Sequence, residues 1–288
     1  MEMQRTIRSA ALIKGIGLQT GKRVELKLRP APPDRGIVFI RSDMPGDPEI
    51  RVCPQNLHSA FQRTALKRGR AEIHTVEHIL AALSALYIDN VVIEINNVEL
   101  PGLDGSAKEF VGVLRDAGLH MQDVPRNYIE TEKPIICSDD KGTIQIIPDE
   151  HFKIEYFLDY DHKLLKEQWS DIILDGSEKS MDFFEREIAP ARTFCLERDA
   201  MTLLKLGLGK GADFSNTLVI NAEGPINNRF RFPDEPVRHK VLDLLGDLYV
   251  LGRHIKGRIV ARKSGHKLNS IFIKRLKEES EKLLTKIA

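Results

Sequence analysis

Three polar side chains recur at a spacing of four in an otherwise apolar stretch: His239, Asp243 and Asp247, within residues 237–249. Apolar residues at 237, 241, 242, 244, 245 and 248 read as a buried helix, on which positions i and i+4 lie roughly 5–6 Å apart. Burying carboxylates in such a wall is costly unless something cationic meets them. A metal ion on His239 and Asp243 would do so. A satisfied core histidine beside two hydrogen-bonded aspartates is the other reading of the same stripe.

A second cluster lies upstream. His74-Thr75-Val76-Glu77-His78 matches H-x-x-E-H, the inverted-zincin protease pattern. Thr75 suits the N-cap of an amphipathic helix over 75–86, which leaves His74 outside it, so the two imidazoles need not share a face. Residues 76–83 and 237–244 align at an offset of 161, and each is followed by a β-rich segment, a glycine turn (Asp104-Gly105-Ser106; Ser264-Gly265-His266) and another helix. The repeat predicts a duplicated α+β fold in which pseudo-symmetry brings His78 to His239.

That pairing offers His78, His239 and Asp243 as three ligands with a fourth position open for water, a catalytic arrangement that suits Zn²⁺. Zinc lowers the pKa of its water to about 7, and Glu77, next to a ligand, can take the proton. His266 follows Gly265 in a turn that can project toward a cleft, and Asp247 can favour its protonated form. Lys240 can meet a phosphate, and Arg192-Thr193-Phe194-Cys195 sets a hydroxyl beside an apolar wall. Gly207-Leu208-Gly209-Lys210-Gly211-Ala212 matches G-x-G-x-x-A, but it follows a helical run and precedes a strand, the wrong context for a dinucleotide fingerprint.

The elements that must position these residues are legible in part. Strands are expected at 5–13, 22–29 and 36–40, with a tight turn through Gly15, Gly17 and Gly21, then the helix 75–86, a strand at 91–95 and a helix at 107–117. The polar run 121–127 reads as a linker, dividing a first domain, 1–124, from a second, 125–288. Strands follow at 128–137, 143–147 and 152–159, then a helix at 199–207, strands at 217–220 and 257–262, and a long helix from about 268. Residues 160–185 are mixed and charged and give no assignment.

Composition limits the function classes. At 288 residues, 42% hydrophobic and 30% charged, the chain is that of a soluble globular protein with one or two cores. Lys plus Arg (43) nearly cancels Asp plus Glu (42), so no global field favours nucleic acid or an anionic membrane. The three cysteines, Cys53, Cys137 and Cys195, fit neither a disulfide framework nor a cysteine zinc site and suit a reducing cytoplasm. The N-terminal residues hold no apolar run of signal-peptide length, and no transmembrane helix is expected. Peripheral association with a membrane, and a monomeric state, are compatible with this.

The chain resembles the zinc-dependent UDP-3-O-acyl-N-acetylglucosamine deacetylases of lipid A synthesis. The matching stretches are Gly15-Ile16-Gly17-Leu18, Thr75-Val76-Glu77-His78, Leu100-Pro101 with Asp104-Gly105-Ser106, and Ala191-Arg192-Thr193-Phe194. Gly207–Gly211, Asn216-Thr217, residues 235–240, 243–247 and Gly265-His266 continue in the family's order. The resemblance implies two similar α+β domains, each a sheet with helices on one face, forming a sandwich with the active site between them. It implies zinc, or iron(II) in the cell, on His78, His239 and Asp243, with Glu77 as base and His266 as its cationic partner supported by Asp247. Thr193 would hold the oxyanion and Lys240 would sit near the diphosphate. An insert around 194–220, with Phe194, Leu203, Leu206 and Gly211, would line the acyl passage, and the segment with Tyr160 would meet the uridine. The chain departs from the family at Gln19, where histidine is common, at Lys163, where proline is usual, and at Gln62–Leu66, which keeps only part of a threonine–leucine segment. A peptidase using His74, and a non-catalytic sugar-nucleotide binding protein, are the rival readings.

Overall fold

Alternation of apolar and polar residues in the first half forms a mixed sheet. In the computed structural model, which describes residues 2–287, the chain opens with β1 (Met3–Ile7), β2 (Ala11–Ile16), β3 (Arg23–Pro30), β4 (Ile37–Arg41) and β5 (Glu49–Arg51). The expected strand 5–13 is therefore two strands. A small antiparallel sheet follows, β6 (Leu57–Ala60), β7 (Arg63–Arg68) and β8 (Ala71–His74), then α1 (Glu77–Ala85), β9 (Val91–Ile95), α2 (Lys108–Ala117) and β10 (Leu119–Pro125). The main sheet has the order β2-β3-β9-β4-β5, with β9 parallel to β4 and the other pairs antiparallel. Val24, Leu26 and Leu28 of β3 send their side chains to the core, as period-two alternation requires.

The second half repeats this plan. It contains β11 (Tyr128–Ile129), β12 (Ile135–Ser138), β13 (Thr143–Ile147), β14 (Phe152–Leu158), β15 (Gln168–Leu174), α3 (Glu178–Phe183) and a π turn at Phe184–Ile188. Next come β16 (Phe194–Leu196), α4 (Glu197–Lys205), β17 (Leu218–Asn221), β18 (Gly224–Pro225), α5 (Glu235–Leu248), β19 (His254–Ile255), β20 (Gly257–Arg262) and α6 (His266–Ile287). Its main sheet runs β12-β13-β20-β14-β15, with β20 parallel to β14 and the other pairs antiparallel. In both sheets the strand that follows the central helix inserts between the second and third strands. In both, a three-stranded insert separates the last early strand from that helix. Helices α5 and α6 pack on the second sheet and α2 on the first, and α1 lies against both α2 and α5. The helices thus meet between the sheets, which is how two half-apolar units bury one another's faces.

Two further expectations are corrected, and one unassigned stretch is filled. The run 121–127 is no linker: residues 119–125 form β10, antiparallel to β1. Its one buried side chain is polar, Gln122, which donates to the Ala31 carbonyl and accepts from Asn90, so no apolar alternation marked it. Residues 128–137 hold two short strands rather than one. Within 160–185 lie β15 and α3. No described helix is long and apolar enough to cross a membrane.

Candidate metal centre

α1 begins at Glu77, and every one of its residues is buried. Thr75 is not its N-cap: it has φ of +60°, and its hydroxyl donates to Glu99 Oε1 at 3.3 Å. The small residues Ala81, Ala82, Ser84 and Ala85 keep α1 slim, and Gly246 of α5 gives the Glu77 backbone room. The close crossing lays the first turn of α1 against α5 between His239 and Gly246. The His78 and His239 rings stand edge to face with centroids 5.1 Å apart.

Asp243, one turn beyond His239, completes a buried cluster. Its Oδ1 lies 3.3 Å from His239 Nε2 and 3.8 Å from His78 Nε2, and one ligand atom from each of the three residues lies within 4.8 Å of the others. Ligand atoms at ~2.0–2.2 Å from a tetrahedral ion are separated by about 3.4 Å, so the donor set fits a metal. The Ala191 carbonyl faces His239 Nδ1 at 3.0 Å, which places the proton there and leaves Nε2 free to ligate. Burial, helped by the imidazole of His239 beside it, lowers His78 to about 4 and keeps it neutral. Burial opposes ionisation of Asp243, but His239 and Lys240 outweigh it and hold the carboxyl well below its ordinary value.

Glu77 and His266 supply opposite proton chemistry beside this cluster. Burial raises Glu77 to about 7, and its Oε2 accepts the Thr64 N–H at 3.1 Å. Burial works against a charged His266, yet the Asp247 carboxylate, 2.8 Å from its Nδ1, raises it to about 9. His266 is the first residue of α6 rather than part of a turn. Asp247 also accepts from Asn269 Nδ2 at 2.8 Å and from the Thr64 hydroxyl.

The remaining expected residues divide. Lys240, expected at a diphosphate, donates to Asp243 Oδ2 at 2.8 Å and lies 5.7 Å above the Phe194 ring. Burial disfavours its charge, but Asp243 reverses this and raises its pKa, so it remains a cation. Phe194 also stands edge to face with His239 and with Tyr160, at 6.4 and 6.0 Å. Thr193 is fixed through its backbone, donating to Gly105 O and accepting from Leu218 N. Leu203 and Leu206 lie on α4 and at its end, and Gly211 in the turn beyond. α4 has no buried residue, and Met201, Leu204 and Leu206 are 58%, 58% and 61% exposed.

His74 stands apart from the cluster. It ends β8, with Arg63 against Nδ1 and Glu72 at 3.3 Å from Nε2. The H-x-x-E-H reading therefore fails, because the strand-to-helix break at Thr75 separates the two imidazoles.

Sequence reasoning gave no role to Thr64, which joins Glu77 to Asp247, or to Glu235, fully buried and bonded to the Arg192 guanidinium and backbone. Glu235 thereby pins the segment whose Ala191 carbonyl orients His239. Thr64 lies in the segment 62–66 already marked as departing from the family pattern, and that was its only signal.

A metalloenzyme made of two copies of one α+β unit is the class these features define. The profile of the LpxC family, UDP-3-O-acyl N-acetylglycosamine deacetylase, matches residues 4–278. The chain is 37% identical over 286 residues to the UDP-3-O-acyl-N-acetylglucosamine deacetylase of Syntrophus aciditrophicus, covering 99% of this chain and 89% of that one. The deacetylases of Pseudomonas entomophila and Hahella chejuensis are 37% and 36% identical over 282 residues, covering 98% of this chain and 92% of each relative. The chain belongs to the LpxC family.

Proposed function

We propose that this chain removes the N-acetyl group from a UDP-3-O-acyl-N-acetylglucosamine, releasing acetate and the free amine, in lipid A biosynthesis. The observation that carries the reading is the buried cluster of His78, His239 and Asp243 with Glu77 next in chain to a ligand. Two imidazoles and one carboxylate suit zinc, with iron(II) the other ion such ligands accept. The bound ion supplies Lewis-acid polarisation in a dry site.

The chain's own residues account for the protons. Glu77 takes one from the attacking water, and a carboxyl near neutrality is matched to that task. His266, kept charged by Asp247, gives one to the departing glucosamine nitrogen as the C–N bond breaks. The Thr193 hydroxyl is assigned to the oxyanion. Phe194, Leu203, Leu206 and Gly211 are assigned to the acyl chain, Tyr160 to the uridine and Lys240 to the region of the diphosphate. The exposed apolar side chains of α4 support the acyl assignment, because isolated apolar groups in water gain most from such a partner.

The same reading divides the chain into domains at 1–124 and 125–288, supported by the return of β10 to β1, whose last pair, Met3 with Pro125, lies one residue past that boundary. It places a monomeric enzyme in the cytoplasm, in keeping with three free cysteines, and peripheral contact with a membrane is part of it. The test is acetate release from substrates of graded acyl length, after chelation and again after zinc return. Activity lost on chelation and restored by zinc is the expected result. Substrate bound by zinc-loaded protein without acetate release would instead fit the non-catalytic sugar-nucleotide binding protein.

A further inference from the structure

The C-terminal end of α4 is fastened to the first half of the chain by three consecutive amides. Gly209 N–H donates to Gln19 Oε1 at 3.0 Å, Lys210 N–H to Gln19 O at 3.2 Å, and Gly211 N–H to Leu18 O at 3.1 Å. Glycine is required at both ends of this run of three amides. Gly209 has φ of +68°, and a side chain at 211 would run into the Gly17 carbonyl.

The clasp is rooted in a buried carboxylate. Glu99, 1% exposed, accepts the Gln19 and Thr20 amides at 2.8 Å each, and also the Thr75 hydroxyl two residues before Glu77. Loop 17–20 is therefore tied at once to the approach to α1 and to the turn after α4. α4 itself buries no residue and packs only lightly on β16 and β17, so its two ends largely fix where its apolar face lies. The N-terminal end is held by β16, paired with β17. The other end is held by the clasp, and Gln19 Oε1 is its only side-chain acceptor for the 209–211 amides among the described residues.

We propose that Gln19 is a positioning residue that sets acyl-chain discrimination by fastening the turn 207–211, and with it the apolar face of α4, to the first half of the molecule. This rests on the deacetylase reading above. Gln19 donates no proton in that chemistry; it acts through α4.

The test compares Gln19→Met, which keeps the length and loses the acceptor, with Gln19→Glu, which keeps an acceptor oxygen at the same reach. In the metal-loaded enzyme, Gln19→Met should raise KM for a long-acyl substrate by about five- to tenfold, the range one lost hydrogen bond commands. Its kcat, and both constants for a short-acyl substrate, should stay near wild type, and Gln19→Glu should restore the long-acyl KM. Independently of activity, amide exchange at Gly209–Gly211 should quicken in Gln19→Met and not in Gln19→Glu. Unchanged exchange in Gln19→Met, or a loss falling equally on long and short substrates, would overturn the proposal. Faster exchange from a protein that deacetylates nothing would leave the clasp standing and remove the deacetylase reading, and with it the role in discrimination.

Discussion

Gly246 lies where the backbone of Glu77 crosses α5, so that a β-carbon at 246 would overlap the Glu77 carbonyl oxygen. The absence of one methyl group lets two helices meet closely enough for His78 and His239 to share a partner. Gly246→Ala should therefore destabilise the protein by about 1–3 kcal/mol, as overpacking does, and should lower metal content by parting the imidazoles. Denaturant unfolding and metal analysis check this. A variant within about 0.5 kcal/mol of wild type with full metal content would show that the crossing has slack.

The two histidines of the H-x-x-E-H stretch should behave oppositely. His78→Ala removes a proposed ligand and should leave the protein unable to retain zinc through gel filtration. His74→Ala, at a side chain held by Arg63 and Glu72, should retain it. Loss of metal in both variants would revive the protease geometry.

His266 is raised to about 9 by the Asp247 carboxylate, against the opposing effect of burial. Activity that needs the charged imidazole is present below that value and is lost as pH rises through it. Asp247→Asn removes the carboxylate, so the basic limb of kcat/KM should move to lower pH. In His266→Ala that limb should vanish. A limb that persists in His266→Ala would assign the proton donor elsewhere.

Thr64→Val tests the residue that sequence reasoning overlooked. The hydroxyl donates to Asp247, and its loss leaves a buried carboxylate oxygen short of a donor, at a cost of about 1–3 kcal/mol. Asp247 then becomes the stronger partner for His266, so the basic limb should move to higher pH, opposite to Asp247→Asn. Equal limbs in wild type and Thr64→Val would show that the hydroxyl does not tune the pair. The backbone bond to Glu77 persists in this variant, which separates the two roles of residue 64.

Much of this was legible without coordinates because it is local. The spacing of His239 and Asp243 places both on one helix face wherever the helix lies, since 3.6 residues per turn is a property of the backbone. The duplicated order of strands and helices was visible as an offset, and the two sheets share one topology. β10 was not legible, because its buried residue is a glutamine satisfied by partners 32 and 91 residues away. The start of α1 was misplaced because Thr75 is a residue type that often caps helices, while here its hydroxyl goes to the buried Glu99 carboxylate and its N–H to the Thr64 carbonyl, both on other segments.

Sequence by itself determined the inventory: two imidazoles and a carboxylate with ligand chemistry, a carboxylate beside one of them, and a histidine and aspartate able to pair. Tertiary structure decided which of these meet. His78 reaches His239 only through the α1–α5 crossing, and Thr64 enters because β7 runs past the start of α1. Such contacts join segments far apart in the chain. They are set by the packing of whole elements, and no short window of residues encodes it.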